Sequence, residues 1–233
     1  MGITDILAVL WFLALWSGFS QTTQPWHALG RTSLSQRMNT HRRAWFRMAA
    51  QRDLRMIDTA ILNGLQNGTA FFASTTIFAI GGCFALLGAT EEVLGVFRTL
   101  PFEIEPSPVA FEIKVIGLTG IFAYAFFKFG WAYRLFNYSS ILFGAIPPAK
   151  VAETEPDALD AAADRAADMN ILAGQSFNAG LRTIFMAIGY LGWFAGPLVL
   201  MATSLLVIAV LVRRQFYSPA QDAAIPLEPG IRP

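Results

Sequence analysis

The chain has 233 residues, of which 55% are hydrophobic and 14% are charged, and its formal net charge is +1. A soluble globular domain carries about a quarter charged residues, so this composition excludes an ordinary soluble domain. The near-zero net charge excludes a general affinity for nucleic acid. A chain of this length predicts one compact unit. The single cysteine, Cys83, excludes an intrachain disulfide and a zinc site with several cysteine ligands.

Four long apolar blocks dominate the sequence, at residues 6–19, 69–87, 109–127 and 184–212. A hydrocarbon core about 30 Å thick requires about 20 apolar residues of helix to cross it. The blocks therefore predict an all-α fold, a polytopic membrane helix bundle with four transmembrane helices. The first helix is expected over residues 4–20, as a retained span, because no positive segment or cleavage site marks a signal peptide.

The distribution of charge predicts the orientation in the membrane. Between residues 21 and 58 lie seven arginines and two aspartates, whereas residues 88–108 carry four glutamates and one arginine. Arginine and lysine concentrate on the cytoplasmic side. We therefore expect a bacterial inner-membrane protein with cytoplasmic segments 21–58 and 131–182 and with both termini in the periplasm. Arg213 and Arg214 lie on the wrong side in this scheme.

Two cytoplasmic amphipathic helices are predicted. The first is basic, and such a helix lies on an anionic membrane surface or packs on a partner. We expect contacts with anionic lipid headgroups or a protein partner from Arg37, Arg42, Arg43, Arg47, Arg52 and Arg55. The alternative is a solvated face that reflects topology alone. The second helix, near residues 155–167, is acidic, and the hypothesis is that it pairs with the first through Asp160, Asp164 and Asp168.

Several polar residues lie at the edges of the apolar blocks, where side chains are expected to face the interior of a bundle. They predict a polar vestibule that is open to the cytoplasm and favours anions, formed by Asn63, Gln66, Asn67, Gln175, Asn178 and Arg182. The alternatives are hydrogen bonds between neighbouring helices for the amides and an ordinary interface position for the arginine.

Small residues and prolines complete the predicted organisation. Gly64 with Gly68 and Gly192 with Gly196 have the spacing that lets membrane helices approach closely. Pro197 is expected to kink the last crossing. Residues 1–217 are predicted to form a single transmembrane domain, and the proline-rich residues 218–233 a disordered tail.

Motifs for catalysis, cofactor binding or metal binding are nearly absent from the sequence. The two histidines lie outside the apolar blocks, which argues against a haem held between helices. We therefore expect no enzyme activity, no cofactor and no metal site. The favoured function is an accessory or scaffold protein that acts through helix packing in a homo-oligomer or with other membrane subunits. The alternative is a small oligomeric channel or transporter.

Several short segments resemble a family of uncharacterised bacterial and plant integral membrane proteins, a domain of unknown function. The segments are 58–68 (DTAILNGLQNG), 72–75 (FAST), 177–182 (FNAGLR), 193–197 (WFAGP) and 213–216 (RRQF). The resemblance extends to about residue 216 and implies a fold with four membrane crossings. It implies no activity, substrate or catalytic residue.

Overall fold

A computed structural model describes residues 2–22, 32–98, 107–150 and 154–225, except for the side chain of Phe97. Every regular element in these ranges is a helix, which confirms the all-α prediction. In chain order they are α1 (Ile3–Thr22), α2 (Leu34–Ala50), α3 (Met56–Gly88), α4 (Thr90–Phe97), α5 (Pro108–Gly144), α6 (Pro156–Tyr190), α7 (Gly192–Ala195), α8 (Pro197–Phe216) and α9 (Pro219–Ala223).

Four of the described helical segments are long and apolar enough to cross a membrane, which confirms the predicted number. They are Ile3–Gln21, Met56–Gly88, Pro108–Gly144 and Pro197–Ala223. The first three contain the predicted apolar blocks. The fourth block, residues 184–212, is divided between the end of α6 and most of α8.

The division of the fourth block has a local cause. Gly196 has a φ of 136°, which residues with a Cβ rarely adopt, and Pro197 follows as the first residue of α8. Instead of the expected kink, the chain reverses, and Thr203 Oγ1 donates to Gly189 O at 2.7 Å. Gly192 leaves the space that Thr203 occupies. The last part of α6 and α8 are therefore antiparallel neighbours.

The bundle has two distinct ends. At one, called here the tryptophan end, Trp193 Nε1 donates to Asp5 Oδ1 at 2.8 Å and Lys114 Nζ donates to Trp193 O at 2.9 Å. At the other, called the arginine end, Gln215 Nε2 donates to Ser35 Oγ at 2.9 Å. Helix α1 thus begins at the tryptophan end, and α8 ends at the arginine end. The location of both termini in the periplasm stays a prediction, and it treated residues 184–212 as a single crossing.

Helix packing continues past the predicted domain boundary at residue 217. Arg37 Nη1 donates to Gln221 O at 3.0 Å, and His41 Nε2 lies 3.1 Å from Ala224 O, so α9 is attached to α2. The first part of the predicted disordered tail is therefore a docked helix. Residues 226–233 lie outside the described residues.

Helix α5 is the centre of the bundle, because it packs against both α3 and α6. Close approach to α6 depends on Gly180, which faces the ring of the fully buried Phe129. That ring also stacks on Phe72 of α3, with centroids 5.5 Å apart. By contrast, α3 is peripheral and leaves a long face exposed, including Phe71 and Phe78.

Candidate functional site

The arginine end is closed by ion pairs between α2 and α6. Arg47 donates to both carboxylate oxygens of Asp164, at 2.9 and 2.7 Å, and Arg43 pairs with Asp168 and lies 3.7 Å from Asp164. The hydrogen bond from Arg47 lowers the pKa of Asp164, and the same bond raises the pKa of Arg47. The predicted pairing of the basic and acidic helices is confirmed. Asp160 acts on Arg47 only through a longer-range attraction.

A second group of contacts joins α2 to the start of α3. Asp58 is fully buried, and its Oδ1 accepts from Trp45 Nε1 at 2.7 Å and from Arg52 Nη1 at 2.6 Å. Its Oδ2 is buried with no partner among the described residues. A buried carboxylate needs such donors to remain in an apolar setting. This aspartate is a functional-site candidate that the sequence reasoning missed.

Arg55 caps the end of α2 and also contacts the segment that follows α5. Its guanidinium donates to Ala50 O at 2.9 Å, Pro147 O at 2.7 Å and Ile146 O at 2.9 Å. The last carbonyl oxygens of a helix lack N–H donors within the helix. Arg55 therefore fastens the end of α2 to the segment that follows α5.

Arg42 has no carboxylate partner in the described part of the chain. Its Nη1 donates to the main-chain oxygen of Asn170 at 3.1 Å, and its guanidinium fills the space beside Gly174. Burial lowers the pKa of Arg42. The Asn170 side chain is also buried, and neither of its polar atoms has a partner in the described ranges.

All six arginines of the predicted headgroup surface thus donate to groups of their own chain: Arg37, Arg42, Arg43, Arg47, Arg52 and Arg55. The sequence pattern could not distinguish this arrangement from a membrane-facing one, because both use the same helical spacing. The contacts with lipid headgroups remain a prediction.

The residues predicted for the vestibule lie in different places. Asn63 and Asn67 are exposed on α3, which contradicts the expectation that they face the interior, and Gln175 is exposed on α6. Gln66 Nε2 donates to Ser140 Oγ of α5 at 2.8 Å, as the interhelical alternative predicted. Asn178 and Arg182 line a common cavity. Within the described part of the chain, the six residues therefore form no single vestibule.

The cavity that contains Asn178 and Arg182 lies between α1, α2, α6 and α8 and has a volume of about 120 Å³. Its polar lining is completed by Ser35, Arg214 and Gln215, which the sequence reasoning did not assign to a site. The sequence did contain one signal for this site, the charge of Arg214, which the predicted topology left unexplained. The apolar lining residues are Phe19, Leu34, Leu181, Phe185 and Leu211.

The exposed face of α3 carries small and polar residues at strict intervals of seven. The positions are Ala60, Asn67, Ser74, Gly81 and Gly88, and all five are exposed. The side chains of Asn67 and Ser74 make no hydrogen bond to the described parts of the chain. Apart from the adjacent backbone of α3, no atom of the described residues lies within 4 Å of a Cβ placed at Gly81 or Gly88. We call this surface the α3 stripe.

No group of three or more histidine, cysteine, aspartate or glutamate side chains that could hold a metal ion occurs in the described ranges. The expectation that the protein is not an enzyme and binds no cofactor remains a prediction, since no observation tests it.

The bundle of long apolar helices defines a multi-pass membrane protein. The chain belongs to the family described as "Protein of unknown function, DUF599", whose model matches residues 7–220. This match confirms the resemblance to a domain of unknown function. No curated protein and no solved structure matches the chain.

Proposed function

We propose that the protein is an accessory or scaffold component of a bacterial inner membrane and that it acts through self-association of α3. The single observation that carries this proposal is the α3 stripe, which leaves polar side chains without partners on a face that lipid would otherwise contact. The dispersed vestibule residues give less support to a channel formed within one chain.

The depth of the stripe supports an interface. Helix α3 has 33 residues, so it is about 50 Å long at 1.5 Å per residue, and a hydrocarbon core of about 30 Å covers its middle. Asn67 and Ser74 lie within about 8 Å of the helix midpoint at that rise. An amide at this depth gains hydrogen bonds only from another polar group, because lipid chains offer none.

A second copy of the chain is the partner that best fits the stripe. Two copies inserted in the same orientation present parallel α3 helices to each other. A seven-residue repeat favours a left-handed crossing, and small residues allow the close contact that drives membrane helix association. An asparagine amide is both donor and acceptor, so Asn67 of one copy can pair with the same residue of the other.

Neighbouring hydroxyl residues provide a matched test of this interface. In a Cys83→Ala background, Ser74→Cys is expected to form disulfide-linked dimers on oxidation in membranes, because a disulfide requires Cα atoms less than about 7 Å apart. Thr75→Cys lies at the same depth but points about 100° away around the helix, so it should remain monomeric. The measurement is non-reducing gel electrophoresis. Equal cross-linking of the two variants, or none with Ser74→Cys, would overturn the proposal.

We further propose that the second half of α6 crosses the membrane as a fifth span, so that the N-terminus is periplasmic and the C-terminus cytoplasmic. Asn170 and Tyr190 are separated by about 30 Å of helix, the thickness of a hydrocarbon core. The arginine-rich end then lies inside, and Arg213 and Arg214 no longer conflict with the positive-inside rule. The cytoplasmic segment ends near Asp168 rather than at Arg182.

Reporter fusions distinguish the two topologies. A green fluorescent protein fused after residue 233 is expected to fluoresce, and alkaline phosphatase fused there is expected to be inactive. A fusion of alkaline phosphatase in the loop between α4 and α5 is the control and should be active in either topology. An active phosphatase at the C-terminus would restore the topology with both termini outside.

A further inference from the structure

We propose that the cavity between α1, α2, α6 and α8 binds a phosphate group and that the group belongs to an anionic phospholipid of the leaflet at the arginine end. The inference does not depend on self-association through α3, because none of the lining residues belongs to α3.

The cavity holds positive charge without compensation. Arg182 makes no hydrogen bond or ion pair in the described part of the chain, and Arg214 contacts only the ring of Phe185, with Cζ 5.5 Å from the centroid. No aspartate or glutamate is among the lining residues. Two guanidinium groups that line one cavity repel each other, and an anion bound between them would offset that repulsion.

The neutral polar residues of the cavity are arranged as donors. Asn178 Nδ2 and Gln215 Nε2 both donate to Ser35 Oγ, at 3.4 and 2.9 Å, so the hydroxyl hydrogen of Ser35 is left to donate to a further acceptor. Ser35 also lies in the first turn of α2. Gln36 N donates to the N-cap residue Ser33, which leaves the main-chain N–H groups of Leu34 and Ser35 without helical acceptors, and the helix dipole favours an anion there. Guanidinium groups, a hydroxyl and a helix N-terminus together match the oxygens of a phosphate.

Depth and apolar lining favour a lipid as the source of that phosphate. Phe19 is 14 residues from Asp5 in the same helix, so the cavity lies about 21 Å from the tryptophan end. At that distance the cavity lies in the half of an about 30 Å hydrocarbon core that is nearer the arginine end, and arginine side chains can extend from such a depth toward the headgroups. Phe19, Leu34 and Leu211 line the same cavity and offer contact to the start of an acyl chain. A site for free phosphate would gain nothing from these side chains.

The test measures the midpoint temperature of thermal unfolding of the full chain in phosphatidylcholine vesicles as phosphatidylglycerol is added. A ligand that binds the native state raises this temperature. Arg182→Gln and Arg214→Gln are each expected to require about tenfold more phosphatidylglycerol for the same shift, as expected for one charged hydrogen bond. Arg213→Gln removes the same charge from the adjacent position, which does not line the cavity, and should respond as the unaltered protein does.

The source of the phosphate is tested by titrating inorganic phosphate in vesicles of phosphatidylcholine alone. A shift that depends on Arg182 and Arg214 with the lipid but not with inorganic phosphate supports the proposal. The same dependence with inorganic phosphate overturns the lipid source. A response of all three variants equal to that of the unaltered protein, or no response to either anion, overturns the site. If Arg182→Gln does not fold, the exposed Arg214 carries the same comparison.

Discussion

Arg52→Ala is expected to destabilise the protein by about 3 kcal/mol, the low end of the range for breaking a buried ion pair. Asp58 is completely buried, so removal of Arg52 leaves its charge with only the indole N–H of Trp45. The Arg52 side chain is itself 41% exposed. Water can therefore replace part of the lost interaction, and this is why we expect the lower end of the range.

The free energy of unfolding in detergent, followed by denaturant titration, measures this effect. Arg165→Ala is the control, because Arg165 is an exposed arginine of α6 with no ion pair in the described ranges, and it should change stability by less than about 0.5 kcal/mol. The double variant Arg52→Ala/Asp58→Asn should recover part of the loss, because it removes the uncompensated charge. A double variant less stable than Arg52→Ala would show that the charge of Asp58 is not the cause.

Gly180→Ala is expected to destabilise the protein by about 1–3 kcal/mol, as overpacking of a close helix interface does. A Cβ at this position would come within 2.6 Å of the Phe129 ring, and that ring cannot easily move because it also packs on Phe72 and Phe177. Since α5 and α6 form the central contact of the bundle, their separation would loosen α3 and α8 as well.

Gly130→Ala on α5 is the matched control for this change. No atom lies within 4 Å of a Cβ placed there, so the alanine should stabilise the helix by up to about 1 kcal/mol. Both variants are compared by thermal unfolding in detergent. Phe129→Leu in the Gly180→Ala background should cost less than the sum of the single changes, because the two sites share one contact. Equal midpoints for the two glycine variants would contradict the close approach at Gly180.

Features that depend on local pattern were predicted well. The apolar blocks identified α1, α3 and α5, because a membrane helix must satisfy its main-chain groups internally and face lipid with apolar side chains. The four-residue spacing of Asp160, Asp164 and Asp168 predicted an acidic helix beside the basic one, and ion pairs of Asp164 and Asp168 join the two helices. Two helices with opposite charges on the same side of the membrane attract each other, and this attraction does not depend on how the other helices pack.

Features that depend on which surfaces meet were predicted poorly. Asn63 and Asn67 were expected to face inward, yet α3 is a peripheral helix and both side chains are exposed. The candidate cavity combines Asn178 and Arg182 with Ser35, Arg214 and Gln215 from two other helices. No spacing along the chain records that α8 returns beside α6, so Arg214 had no partner in the sequence reasoning.

The sequence by itself determined that the protein has helices able to span a membrane and which segments form them. The length of an apolar run and the period of its polar residues are properties of a single segment. The tertiary structure decided that the chain reverses at Gly196, that six arginines of α2 and its C-terminal flank serve the chain's own carbonyls and carboxylates, and that Arg182 and Arg214 share a cavity. Those outcomes depend on contacts between segments far apart in the chain, where packing and charge select one arrangement among several that each segment alone would allow.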